Sequence, residues 1–207
     1  MLTIWGRTNS INVQKVLCCC DEIGLPYTQI DAGMAFGINK TDDYLAMNPN
    51  GLVPTMSDDG FILWESHAMM RYLCRSYDSD HLITPKDEKT FAKADQWTDW
   101  AHTAGWVPMR GLFWGMVRTP PEQRNQAEIN ASIEGCAKVF ALVDQQLSHH
   151  AYIAGDAFTF GDIPLALLAH RWFTIGIERP DLPHFQHWYE GIIARPGFAR
   201  HGGGALS

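Results

Sequence analysis

Over residues 1–31 the apolar positions follow a strand period, then a helical one, then a strand period again. Residues 2–5 are a short strand-like run, and residues 6–10 form a polar loop. From Ile11 the spacing turns helical: Val13, Val16, Leu17 and Cys20 share one face, and Gln14, Lys15, Asp21 and Glu22 the other. Ser10 or Asn9 suits the N-cap, and Gly24 followed by Pro26 suits the stop. Tyr27 to Asp31 reads as a second strand, which completes a βαβ unit. Residues 32–47 show no period and predict an irregular loop. Asn48-Pro49-Asn50-Gly51 is a strong turn signal. Leu52 to Met56 then predicts a short strand interrupted by Pro54. Asp58-Asp59-Gly60 marks a hairpin whose second strand is Phe61 to Trp64. A helix from Glu65-Ser66 to about Tyr77 closes this half.

Residues 78–86 are polar, contain Pro85, and read as a linker. Beyond them the pattern is helical: one long helix from about Asp87 to Met116, a break at Thr119-Pro120-Pro121-Glu122, and a second helix to about His149. Two more helices start near Gly161 and Leu182. The glycine-rich tail from His201 predicts fraying. The chain therefore divides into an α/β domain over 1–80 and an all-α domain over 87–207.

Composition narrows the class. The chain has 207 residues, 46% hydrophobic and 12% aromatic, which suits a folded protein rather than a disordered one. Its net charge of -7 argues against a nucleic-acid partner, which would call for a basic stripe. No apolar run reaches the length of a membrane span, and the first residues lack the pattern of a secretory signal. Five cysteines without C-x-x-C spacing fit free or buried thiols in a reducing cytoplasm, with no disulfide framework and no metal.

Three constellations carry chemistry. Asn48-Pro49-Asn50-Gly51-Leu52-Val53-Pro54 puts a proline at a strand, where it is confined to an edge or bulge. Trp64-Glu65-Ser66 puts a hydroxyl and a free N–H at a helix start. With the helix dipole behind them these suit a carboxylate, while Glu65 suits an ammonium. Taken alone, Ser66 is an ordinary cap. Residues 6–12 place Ser10 at the first helix start. A thiol with a pKa of about 8.5 reacts as thiolate, and lowering it by about two units takes about 2.7 kcal/mol. A helix N-terminus supplies up to about 2 kcal/mol, and a hydrogen bond to a charged group about 1.5–3. Ser10 can therefore activate a thiol or simply cap the helix.

Together these motifs resemble the cytosolic glutathione transferase family over essentially the whole length. Asn48-Pro49-x-Gly51-x-Val53-Pro54 followed by Glu65-Ser66 is similar to its glutathione-site pattern. Trp5-Gly6-Arg7-x-Asn9-Ser10-x-Asn12-Val13-x-Lys15-Val16 looks like a bacterial subgroup. The resemblance implies a thioredoxin-like N-terminal domain, whose element order the first half shares, followed by an all-helical one. It implies that Val53 pairs its backbone with the cysteinyl unit of glutathione beside a cis Pro54, that Glu65 and Ser66 hold the γ-glutamyl end, and that Lys40 meets the glycine carboxylate. The thiol's partner in that family is a Tyr, Ser or Cys. Here Ser10 matches, with Thr8, Asn9 and Asn12 as alternatives and Arg7 adding positive charge. Trp106, Met109, Arg110, Phe113 and Trp114 are candidates for the electrophile wall, and Arg110 and Arg118 can draw in an anionic substrate. A cytoplasmic detoxifying homodimer follows from the same resemblance. The alternatives on this fold are a glutathione-dependent isomerase, dehalogenase or reductase, or a non-catalytic binding module.

Other features read as structural. Cys18, Cys19 and Cys20 point about 100 degrees apart on a helix and cannot share one ion. At least one belongs in the core. Thr159 and Asp162 have capping-box spacing, with Phe158 and Ile163 as its staple, and Asp162 takes a folding role.

Overall fold

A computed structural model of the chain describes residues 1–206. The N-terminal half begins with β1 (Leu2–Trp5), α1 (Ile11–Glu22) and β2 (Thr28–Ile30). It continues through α2 (Asp42–Met47), β3 (Thr55–Asp58), β4 (Phe61–Trp64) and α3 (Ser66–Tyr77). The four strands run in the order β2-β1-β3-β4; β2 pairs parallel to β1, and the other two pairings are antiparallel. Leu2 and Ile4 of β1 and Met56 of β3 point into the core. The β3–β4 turn places Asp59 and Gly60 at φ 46 and 94, the left-handed geometry that suits strand twist.

The C-terminal half is helical. A continuous run joins α4 (Glu88–Trp100) to α5 (Trp106–Phe113) through a π turn at Ala101–Gly105, and a second π turn at Trp114–Arg118 ends it. This is the long helix predicted from the spacing. Then come α6 (Gln126–Leu147), α7 (Asp162–Thr174), α8 (Pro183–Ile192) and a π turn at Phe198–Gly202. Asp162 is fully buried. Its carboxylate accepts from the Thr159 N–H and hydroxyl, the Ile153 N–H and the Trp188 indole N–H. The expected folding role of this residue is visible in those bonds.

Three expectations need correction. Lys15 is on no solvent face: it is 5% exposed, because α1 is covered by α3 on one side and by α7 and the 198–202 π turn on the other. All three adjacent cysteines are buried for the same reason, and all five cysteines are unbridged. Residues 32–47 are not wholly irregular, since they hold a 3-10 turn at Met34–Phe36 and the short α2, capped by the Thr41 hydroxyl. The tail does not fray across the described residues. His201 bonds the Tyr27 hydroxyl and Asp21, and the Gly204 carbonyl meets the His170 ring. Ser207 lies outside the described residues. None of the described helices is long and apolar enough to cross a membrane.

Candidate functional site

The first wall of the site is the loop 6–10 and the start of α1. Ser10 occupies the N-cap position, yet its hydroxyl makes no capping bond. It has no other hydrogen-bond partner among the described residues, so the side chain is free to donate to a ligand. Asn12, in the first turn of the helix, is exposed, and its Oδ1 accepts from Lys15 Nζ at 3.1 Å.

The second wall is the segment before β3. The Val53–Pro54 bond is cis, and β3 begins only at Thr55. Pro54 thus ends the loop instead of interrupting a strand. Asn48 and Tyr44 lock this loop. Asn48 Nδ2 donates to the Leu52 carbonyl and to Thr55 Oγ1, both at 3.0 Å, and Tyr44 Oη donates to the Leu52 carbonyl at 2.6 Å. Neither the N–H nor the C=O of Val53 takes part in the backbone bonds of the described residues. That leaves one donor and one acceptor, a strand-like pair open to an extended ligand.

Gly51 brings Lys40 to this wall. Its φ is 58, and a Cβ there would lie 2.9 Å from both the Asn39 carbonyl oxygen and Lys40 Nζ. Only glycine fits that turn with the ammonium so close. Arg7 and Val53 likewise flank Gly33, whose Cβ position is 3.1 Å from Arg7 Nη1 and 3.4 Å from the Val53 methyls.

The third wall is the β4–α3 junction. Glu65 has φ 72, a conformation that costs a non-glycine residue on the order of 1–3 kcal/mol and that clusters at ligand sites. Ser66 is 6% exposed, and its hydroxyl has no partner among the described residues. The N–H groups of the first turn of α3 are open to an anion.

The helical half faces these walls through α5, its following π turn and α7. Phe113, His170 and Arg171 line a cleft with Asn9 and Gln14 of the N-terminal half and with residues 204–206. The Arg171 guanidinium lies over the Phe113 ring at 3.9 Å and the Trp106 ring at 5.3 Å. Arg118 lies 5.6 Å from the Phe113 ring. Burial lowers the Arg171 pKa to about 10, with Arg118 adding to it. Arg7 is lowered by burial and by Arg118 too. Among the described residues, Arg7 Nε and Arg171 Nη1 are buried without a hydrogen-bond partner. The wall candidates separate here. Trp106 and Phe113 sit beside Arg171, whereas Met109 is fully buried in the core behind them, and Arg110 and Trp114 are exposed.

Residue types alone do not single out Arg171 or the burial of Lys15. An arginine and a lysine inside helical patterns carry no local signal of being covered by another element.

Residues 9–76 match the family model for the N-terminal domain of glutathione S-transferase, and residues 98–196 match that for its C-terminal domain. Glutathione S-transferase GstB of Escherichia coli (strain K12) is 46% identical over 198 residues, covering 95% of each chain. Glutathione S-transferase 3 of Zea mays is 28% identical over 96% of this chain and 92% of that one. A crystal structure of the theta class glutathione S-transferase of Xanthomonas axonopodis pv. citri, with glutathione bound, superposes with a TM-score of 0.94. It is 43% identical and covers 100% of this chain and 99% of that one. Matched in both halves by the family models and along its length by these relatives, the chain belongs to the glutathione S-transferase family.

Proposed function

We propose that the chain binds glutathione across the three N-terminal walls, ionises its thiol, and delivers the thiolate to an electrophile or peroxide under α5 and α7. The observation that carries this is a set of uncommitted polar groups at the loop and helix-start positions of the N-terminal half: the Ser10 and Ser66 hydroxyls, the Val53 backbone pair, and Glu65 at positive φ. In this reading Val53, beside Pro54, pairs with the cysteinyl unit. Ser66 and the α3 N-terminus take the γ-glutamyl carboxylate, and Glu65 takes the ammonium. Lys40 takes the glycine carboxylate. Ser10 donates to the sulfur, with Asn12 as a second donor.

The electrophile in this reading is small and either hydrophobic or anionic. Trp106 and Phe113 support the first class. The unpaired nitrogens of Arg7 and Arg171 support the second, and a conjugation assay over neutral and carboxylate-bearing aryl halides separates the two. No step in this scheme calls for a metal. We read residues 1–80 and 87–207 as the two domains. A homodimer is supported by the exposed Leu52, Phe61 and Trp64, and a reducing cytoplasmic setting by the unbridged cysteines. Removal of reactive electrophiles is the role these properties suit.

The binding assignment is tested with Ser66→Ala. Loss of a hydrogen bond to a charged group is worth about 1.5–3 kcal/mol. Calorimetry is expected to show glutathione affinity weakened by about 10- to 100-fold, with turnover at saturating glutathione largely kept. Wild-type affinity in that variant would remove Ser66 from the site.

A further inference from the structure

Lys15 is the polar residue that α1 has least structural reason to bury. Its side chain is 5% exposed and forms none of the ion pairs among the described residues. Its one hydrogen bond among the described residues is the donation to Asn12 Oδ1. The groups that face it from neighbouring elements are mixed in charge: Arg171 on α7, and Glu65 and His67 at the start of α3. Burial and Arg171 push the ammonium down to about 7, and Glu65 opposes them. A buried ammonium is costly unless paired, and an apolar side chain of similar length fills the same space without that cost.

The bond to Asn12 gives Lys15 a purpose. A carboxamide can present either its oxygen or its NH2 group to a neighbour. An ammonium has three donors and no acceptor, so only the oxygen can face it. Asn12 Nδ2 is thereby turned away from Lys15, and it has no partner among the described residues. Asn12 lies two residues beyond Ser10, on the exposed side of the helix start.

We propose that Lys15 is a positioning residue for thiolate formation, holding the Asn12 carboxamide so that its Nδ2–H is offered to the sulfur of bound glutathione. This rests on the glutathione reading above. Lys15 itself touches no substrate and acts only through Asn12.

The test is a double-mutant cycle with Lys15→Met and Asn12→Ala, read by the pH profile of turnover at saturating glutathione and by calorimetric affinity. Lys15→Met is expected to raise the pKa of the bound thiol by about one pH unit. It should lower turnover at neutral pH about tenfold, the size of one hydrogen bond. Glutathione affinity should stay within about twofold, and the melting temperature should hold or rise, since a buried charge is removed. In the Asn12→Ala background, Lys15→Met should change turnover less than about twofold. An unchanged pH profile in Lys15→Met, or effects that simply multiply in the double variant, would overturn the proposal. If Lys15→Met does not fold, Asn12→Ala carries the test alone, because its side chain is exposed, and an unchanged thiol pKa there overturns it. A wild-type protein that fails to bind glutathione sinks the underlying reading, whereas a wild type that binds and ionises it while Lys15→Met matches it sinks this inference only.

Discussion

Replacing Ser10 with Ala is expected to raise the pKa of bound glutathione by about 1–2 pH units and to cut turnover at neutral pH by about 10- to 100-fold. The size comes from a hydrogen bond to a charged acceptor, about 1.5–3 kcal/mol, converted at about 1.4 kcal/mol per pH unit. The helix N-terminus stays behind as a partial stabiliser, so turnover falls without vanishing. The structure makes this a clean experiment. A serine at an N-cap ordinarily supports its helix, and its loss costs about 1 kcal/mol. Here the Ser10 hydroxyl caps nothing, so the variant should melt within about 2 °C of the wild type. Turnover measured across pH checks the claim. A profile that does not move would assign the sulfur to another first-loop donor.

Asp162→Ala is expected to cost about 3–5 kcal/mol of stability, measured by urea unfolding. Its carboxylate is fully buried and takes four donors from three segments of the helical half: Ile153, Thr159 and Trp188. Each donor left without an acceptor costs about 1–3 kcal/mol. Part of that is returned, because burying the carboxylate is itself unfavourable and pushes its pKa up to about 6. The remainder is a large fraction of the 5–15 kcal/mol that typically holds a domain together. The loss should appear as unfolding of the helical half, with glutathione affinity preserved wherever the protein remains folded. A variant within about 1 kcal/mol of the wild type would mean that water or a neighbour replaces the carboxylate.

Much of this architecture is readable along the chain. The strand and helix periods around residues 2–31, the Asp59-Gly60 hairpin and the long helix beyond Asp87 all rest on local patterns, and local patterns are what a sequence displays. The capping spacing of Thr159 and Asp162 is local too. Two features hidden from the sequence, the burial of Lys15 and the docking of the tail, depend on contacts distant in sequence. Lys15 is polar and falls on the polar side of its helix; only the packing of α3 and α7 around that helix buries it. The tail is glycine-rich, yet His201 reaches Tyr27 across 174 residues and docks it. α2 is six residues long, too short to show a helical stripe, and it rests on the Thr41 cap.

The site divides along the same line. The groups that hold glutathione in our reading sit in two compact motifs, residues 48–54 and 64–66, so their types and spacing point to them. The groups that meet the electrophile come from separate helices, and those that tune the thiol, though together at the start of α1, depend on what packs over that helix. Arg171 becomes a candidate only when α7 folds beside Phe113, and Asn12 gains a fixed orientation only when Lys15 is buried.

The most direct test of the central claim is a crystal structure of the protein with glutathione bound. The account predicts the sulfur within about 3.5 Å of Ser10 Oγ, the cysteinyl backbone paired with Val53, and the γ-glutamyl carboxylate on Ser66 at the start of α3. Glutathione seated away from these groups, or a sulfur with neither Ser10 nor Asn12 in reach, would contradict it.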